Sequence, residues 1–246
     1  MQAIILAAGK GERLKPLTDV IPKCMVKIKN KPLIYNALDI LAASNKFDEV
    51  LIVCGYLAEV VQTSIGSTYC GMKIRYINNH KFNTTNNVYS LYLVDNWVKE
   101  DCLLLECDLY YEQDAIDTII SGNADCNILV SPFNRNKMDG TIIIAEGNTA
   151  RELIIKAHQY TNREYKDAYK TVNIYKFKEA FFNRKLMPAL RNYVKTGNLQ
   201  SYYELVIGGL IYYRNDNIQI NILNESRWFE IDDIQDYKKI INILGD

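Results

Sequence analysis

The sequence predicts an α/β protein in three layers, with helices on both faces of a mixed, mostly parallel sheet, and three observations carry that prediction. Apolar runs of strand length alternate with stretches of helical spacing through the first two thirds of the chain. The runs at 2–8, 49–54 and 102–105 are apolar nearly throughout, as strands buried on both faces must be. Residues 125–171 depart from the alternation, and there a hairpin interrupts the parallel pattern.

Residues 2–8 read as the first strand and 32–43 as a helix, followed by a strand at 49–54, a helix at 56–65 and a strand at 72–77. A helix over 87–98 and a fully buried strand at 102–105 come next. After an apolar strand at 126–132, segments 141–145 and 151–155 flank Glu146-Gly147-Asn148, a tripeptide suited to a hairpin turn. The strand at 171–177, helices at 186–194 and 202–212, a strand at 218–223 and a closing amphipathic helix at 234–244 complete one domain over 1–246. Segment 160–169 is polar and rich in tyrosine, which fits either a mobile substrate flap or a solvated connection.

The 29 Lys plus Arg balance 29 Asp plus Glu, so the net charge is zero. That excludes a generic binder of nucleic acid or of an anionic membrane. No apolar run reaches the roughly 18 to 20 residues of a bilayer-spanning helix, and residues 1–8 lack the basic start and length of a signal peptide; the expected location is cytoplasmic. The six cysteines, at 24, 54, 70, 102, 107 and 126, contain no C-x-x-C pair, and only His80 and His158 accompany them. Free thiols, structural histidines and oxygen ligands for any metal are the consequence.

Leu6-Ala7-Ala8-Gly9-Lys10-Gly11-Glu12-Arg13 follows the first strand directly, at the carboxyl edge where open parallel sheets bind ligands. Two common nucleotide loops do not fit. A dinucleotide fingerprint needs glycine at 14, where Leu14 stands, and G-x-x-x-x-G-K-[ST] is absent. Arg13, Lys15 and Lys23 set three cations close after the glycine turn, which Pro16 and Pro22 stiffen, an arrangement suited to a triphosphate. Asp108 follows the apolar strand 102–105 and so emerges at the same edge. Glu106, two residues earlier, shares its face, and a divalent cation would neutralise the two carboxylates.

These segments resemble a known family. LAAGKGERLKPLTDVIPKCM is similar to the signature loop of nucleotidyltransferases that activate small phosphorylated compounds; Asn86-Asn87-Val88-Tyr89-Ser90-Leu91 resembles the N-N-x-x-S-L segment of their cytidylyltransferase branch; and Trp228 to Tyr237 is similar to the family's W-x-E-I-D-x-x-x-D-Y ending. Glu12 and Glu106 depart from the family's common residues at their positions. The resemblance implies a Rossmann-like α/β/α nucleotidyltransferase fold, with Mg2+ on Asp108 and Asp232 and with Glu230 supporting Asp232. Asp233 caps the last helix. Leu6, Ala7, Ala8, Gly9, Gly11, Asn86 and Ser90 are then nucleotide-binding, Lys23 lies near the α phosphate, and Arg13 holds the β and γ phosphates.

The implied partners are CTP and a small zwitterionic phosphate or phosphonate: phosphoglutamine first, with phosphocholine or aminoethylphosphonate as alternatives. The resemblance implies a product used in surface or capsule polysaccharide decoration. Glu106, Tyr110 and Trp228 offer the acceptor's head a place, while the basic loop takes its anion. A sugar-1-phosphate uridylyl- or thymidylyltransferase is the nearest alternative, and a nucleotide sensor without catalysis is the alternative of another class.

Overall fold

The computed structural model describes residues 1–135, 138–213, 216–224 and 227–244. In chain order the strands are β1 (Gln2–Ala7), β2 (Lys27–Ile28), β3 (Lys31–Pro32), β4 (Glu49–Cys54), β5 (Thr68–Tyr69), β6 (Met72–Asn78), β7 (Cys102–Glu106), β8 (Leu109–Tyr111), β9 (Cys126–Pro132), β10 (Ile142–Glu146), β11 (Thr149–Ile154), β12 (Ala168–Phe177), β13 (Ile218–Ile222) and β14 (Trp228–Glu230). The helices are α1 (Leu33–Ser44), α2 (Ala58–Ile65), α3 (Asn87–Tyr92), α4 (Gln113–Ser121), α5 (Glu179–Phe181), α6 (Met187–Lys195), α7 (Tyr203–Tyr213) and α8 (Ile234–Leu244). A π-helical turn, Phe182–Leu186, joins α5 to α6.

Among the described residues ten strands form one mixed sheet in the order β10-β11-β13-β9-β12-β7-β1-β4-β6-β5. Its core is parallel: β1 lies between β4 and β7, and β6 continues beyond β4. All six residues of β1 are buried, and their alternation explains the three layers. Ile4 and Leu6 enter a core shared with α3, α6 and α7, whereas Ala3, Ile5 and Ala7 enter the opposite core, shared with α1, α2 and α4. Strands β4 and β7 divide in the same way.

β12 reverses the direction by running antiparallel between β7 and β9. Its register on β9 shifts between Thr171 and Tyr175, where Asn173 takes φ 60°. Asparagine tolerates that left-handed conformation, and the irregularity re-aims its side chain. The hairpin β10-β11 forms as the sequence predicts, turning through Gly147 at φ 56°.

The structure corrects one predicted element and adds others. The predicted helix 87–98 stops at Tyr92: Val94 N–H donates to Leu91 O, one residue tighter than a helix, and Asn96 is left-handed at φ 67°. Val94 and Val98 still reach the core, so the apolar spacing survives without the helix. Helix α4 and the short ladder β8-β14 were not read from the sequence. Segment 160–169 is anchored at Tyr165, which packs on Ile142, Ile154 and Ala168, receives Tyr160 N–H on its hydroxyl at 3.0 Å, and lies beneath the guanidinium groups of Arg135 and Arg163.

α8 lies over the stretch from Leu14 to Leu33 through a separate small core that includes Ile231 and Ile240. Asp233 caps it: its Oδ1 accepts from the N–H groups of Gln235 (2.7 Å) and Asp236 (3.0 Å), and Asp236 Oδ2 reciprocates to Asp232 N–H at 3.1 Å. This double cap fixes the backbone that carries Asp232.

Candidate active site

The turn after β1 is held from below. Tyr56 N–H donates to Ala8 O (3.2 Å) and Thr18 Oγ1 to Gly11 O (2.7 Å). Gly11 takes φ 65°, and a Cβ there would lie 3.0 Å from that of Lys23; glycine is required by both conformation and space. At Gly55 a Cβ would fall 2.6 Å from Ala8 O and 2.7 Å from Phe82 Cβ, whereas one at Gly9 would meet nothing within 4 Å. Gly55→Ala is therefore expected to cost about 1–3 kcal/mol, as overpacking does, and Gly9→Ala far less. Denaturant midpoints of the two variants provide the check: equal midpoints would mean that the loop yields freely.

The turn opens onto a cleft of about 1000 Å³. On its floor the Lys23 ammonium lies 2.7 Å from Asp108 Oδ2 and 3.0 Å from Asp232 Oδ1, and Arg13 reaches Asp232 Oδ1 at 3.0 Å. Burial alone would lower the Lys23 pKa, but Asp108 and Asp232 outweigh it and hold it above the usual lysine value. Burial likewise opposes the charge on Asp232, yet Lys23 and then Arg13 keep its carboxyl below the usual range. Asp108 Oδ1 is buried and has no hydrogen-bond partner among the described residues.

That orphan oxygen tests the fit of a cation. Among the described residues no group of three or more Asp, Glu, His or Cys side chains could cage a metal by itself. Mg2+, however, takes one or two carboxylates and completes its shell with phosphate and water oxygens. Asp108 and Asp232, with one acceptor to spare, suit that chemistry.

Leu6, Ala8, Gly9, Gly11, Arg13 and Lys23 line the cleft, as do Asn86, Ser90, Glu106, Asp108 and Asp232. Ala7 lies beneath it, fully buried. Tyr110 and Trp228 are not part of the lining. The β8-β14 ladder turns Tyr110 onto Phe229 (6.4 Å between rings), and Trp228 stands behind Lys170, whose ammonium lies 5.7 Å from the indole centre. Both histidines are exposed and outside the cleft, and all six cysteines are free thiols.

The cleft also holds residues that the sequence did not single out. On the side of Asn86, the Asn79 amide donates to Ser90 Oγ (3.2 Å) and Thr85 Oγ1 (3.1 Å), and fixes both hydroxyls. On the side of β12, the buried Lys170 pairs with Glu230 Oε2 at 3.1 Å, and Asn173 donates to Glu230 Oε1 at 3.0 Å. Asn87 joins Glu106 and Glu204. Glu204 had a signal: it is the sole charge in the apolar run 202–213.

A glycine turn, two cations and two converging carboxylates at the carboxyl edge of a parallel sheet define a nucleotide-handling α/β protein. The chain belongs to the nucleotidyl transferase family, whose model matches residues 2–199. It is 27% identical over 240 residues to a CMP-5'-(3-aminopropyl)phosphonate synthase of Streptomyces rubellomurinus, a match covering 97% of this chain and 38% of that protein. It is 32% identical over 136 residues, 53% of the chain and 52% of the relative, to a CTP:phosphoglutamine cytidylyltransferase of Campylobacter jejuni. A UTP–glucose-1-phosphate uridylyltransferase of Haloferax volcanii is 32% identical over 119 residues, 48% of each chain. The chain thus spans about half or less of the length of each of these relatives. The fold matches the solved structure of a CTP:phosphocholine cytidylyltransferase from Streptococcus pneumoniae with a TM-score of 0.76 at 22% identity, over 99% of both chains. No described helix is long and apolar enough to cross a membrane.

Proposed function

We propose that the chain is a Mg2+-dependent cytidylyltransferase that moves CMP from CTP onto a small phosphorylated or phosphonate acceptor. The observation that carries this reading is the Lys23 ammonium held between Asp108 and Asp232 at the mouth of the glycine turn. An acceptor oxygen forms the new bond to the α phosphorus, the bond from that phosphorus to the bridging oxygen breaks, and pyrophosphate leaves. The acceptor oxygen is already anionic near neutral pH, so no side chain need remove a proton. A phosphate acceptor gives a CDP-linked product and a phosphonate a CMP-linked one.

The protein's task is to align two anions that repel each other. Arg13 and Lys23 supply positive charge on the side of the glycine turn. Asp108 and Asp232 would hold Mg2+, which supplies further charge to the phosphate oxygens when bound. The triphosphate lies along Gly9 to Arg13 and the base toward Asn86 and Ser90, leaving the side of Lys170 and Glu204 for the acceptor. Phosphoglutamine, phosphocholine and aminoethylphosphonate are the acceptors to compare. Pyrophosphate release and product mass, measured for each with CTP and Mg2+, test the reading; turnover confined to a hexose 1-phosphate with UTP would replace it.

CTP is expected to be preferred over UTP. The cytosine amino group donates where uracil presents a carbonyl, and a polar wall matched to one leaves the other with an unpaired buried acceptor, at about 1–3 kcal/mol. In kcat/KM that is about 5- to 150-fold. Equal values for the two nucleotides would favour the sugar-nucleotide reading.

A further inference from the structure

Where Asn87, Glu106 and Glu204 meet, two carboxyl groups line the cleft, and among the described residues no Lys or Arg forms an ion pair with either. Asn87 Oδ1 accepts the N–H of Tyr203 at 3.1 Å, which orients the amide and leaves only its NH2 group for the carboxylates. That one group donates to Glu106 Oε1 at 3.0 Å and to Glu204 Oε2 at 3.3 Å. The nearby cation, Lys170, is committed to Glu230 and to Thr171 O. Glu204 is 5% exposed yet lines the cleft. The Tyr203 hydroxyl is fully buried and faces Glu106. The two carboxyl groups thus share one amide group, with the Tyr203 hydroxyl beside Glu106. Such a site gains most from a cation that brings its own N–H donors.

We infer that Glu204 and Glu106, braced by Asn87, form the subsite for a primary ammonium group on the acceptor. The inference rests on the cytidylyltransferase reading and narrows its acceptor class. A quaternary ammonium has no N–H to offer and calls for aromatic faces. Tyr110 and Trp228 lie outside the lining. Of the two aromatic side chains within it among the described residues, Phe82 packs beside Gly55 and Tyr56 on the side of the glycine turn, which leaves Tyr202 without a second ring to complete a cage near Glu204. A hexose offers neutral hydroxyls, which leave the negative charge unanswered. The ammonium takes no part in the bond change: it anchors one end of the acceptor while the phosphate or phosphonate oxygen at the other end attacks. The same group occurs on aminoalkyl phosphonates, on aminoalkyl phosphates and on phosphoglutamine.

A matched pair isolates the subsite, since phosphoethanolamine and phosphocholine differ only in three methyl groups on nitrogen. With CTP and Mg2+, kcat/KM for phosphoethanolamine is expected to exceed that for phosphocholine about 10²-fold, the scale on which losing a hydrogen bond to a charged group acts. Glu204→Gln should bring that ratio close to one. The ratio does not depend on the fraction of protein folded, so a loss of stability cannot mimic the effect; should Glu204→Gln fail to fold, Glu106→Gln carries the same expectation. Aminoethylphosphonate and phosphoglutamine, assayed alongside, tell which carrier of the ammonium is preferred. Equal turnover of the matched pair, or a ratio that survives both substitutions, overturns the subsite. Turnover of glucose 1-phosphate alone overturns the subsite but leaves nucleotidyl transfer standing, whereas no pyrophosphate from any acceptor overturns the cytidylyltransferase reading and the subsite with it.

Discussion

Asp108→Asn is expected to lower the rate of pyrophosphate release by about 10³-fold or more, because loss of a metal's charge compensation is worth several kcal/mol at the transition state. The substitution is nearly isosteric. It removes the charge that faces Lys23 at 2.7 Å and turns one of the two carboxylate oxygens into an NH2 group, which donates hydrogen bonds and cannot ligate a cation. Lys23 keeps Asp232 at 3.0 Å, so its ammonium is not stranded, and the melting temperature should stay within a few degrees. Asp232→Asn should remove activity to a similar extent with a different secondary effect. Asp232 also holds Arg13 at 3.0 Å, and freeing that guanidinium should alter KM for CTP as well. Near-wild-type turnover by either variant at saturating Mg2+ would show that these carboxylates do not carry the metal.

How much of this site could be read from the sequence follows from how local each part is. The glycine turn and Asp108 each follow an apolar strand within a few residues, and parallel strands deliver their carboxyl ends to one edge. Those positions were legible from the residues alone. Asp232 was not: its place depends on the three-residue pairing of β14 with β8 and on the reciprocal cap with Asp236, neither of which has a period long enough to detect. Resemblance to the family supplied it. The same short ladder explains why Tyr110 and Trp228, chosen for their aromatic character, lie outside the lining, since one residue of register decides which face a side chain takes. Lys170 and Asn173 reach the cleft through the long strand β12 and its shift of register, and Glu204 through the start of α7 at Asn87. These are contacts between distant segments. The sequence marks Glu204 only as a charge in an apolar helix, which says that it needs a partner without saying which.

Lys23→Ala is expected to lower kcat about 10²-fold or more, on the order of the roughly 3 to 4 kcal/mol lost when one preorganised transition-state donor is removed. Lys23 is 9% exposed, and the two carboxylates keep it charged throughout the neutral range, so it presents a fixed positive charge without reorganisation at the moment of transfer. Alanine there also leaves Asp108 and Asp232 facing each other without their shared cation. Removing one partner of a partly buried ion pair costs more stability than the pair itself provides, so Lys23→Ala should also unfold more readily than Asp108→Asn. The double variant Lys23→Ala with Asp108→Asn should regain part of that stability while regaining no activity, which separates the structural role of the lysine from its catalytic one. Arg13 provides the contrast, because its side chain is largely exposed and meets only Asp232 among the site carboxylates. Arg13→Ala should therefore act mainly on KM for CTP. Steady-state kinetics at saturating Mg2+ decide the matter: a Lys23→Ala enzyme with kcat intact and only KM raised would mean that the ammonium binds the nucleotide equally in ground and transition states, and its catalytic role would be withdrawn.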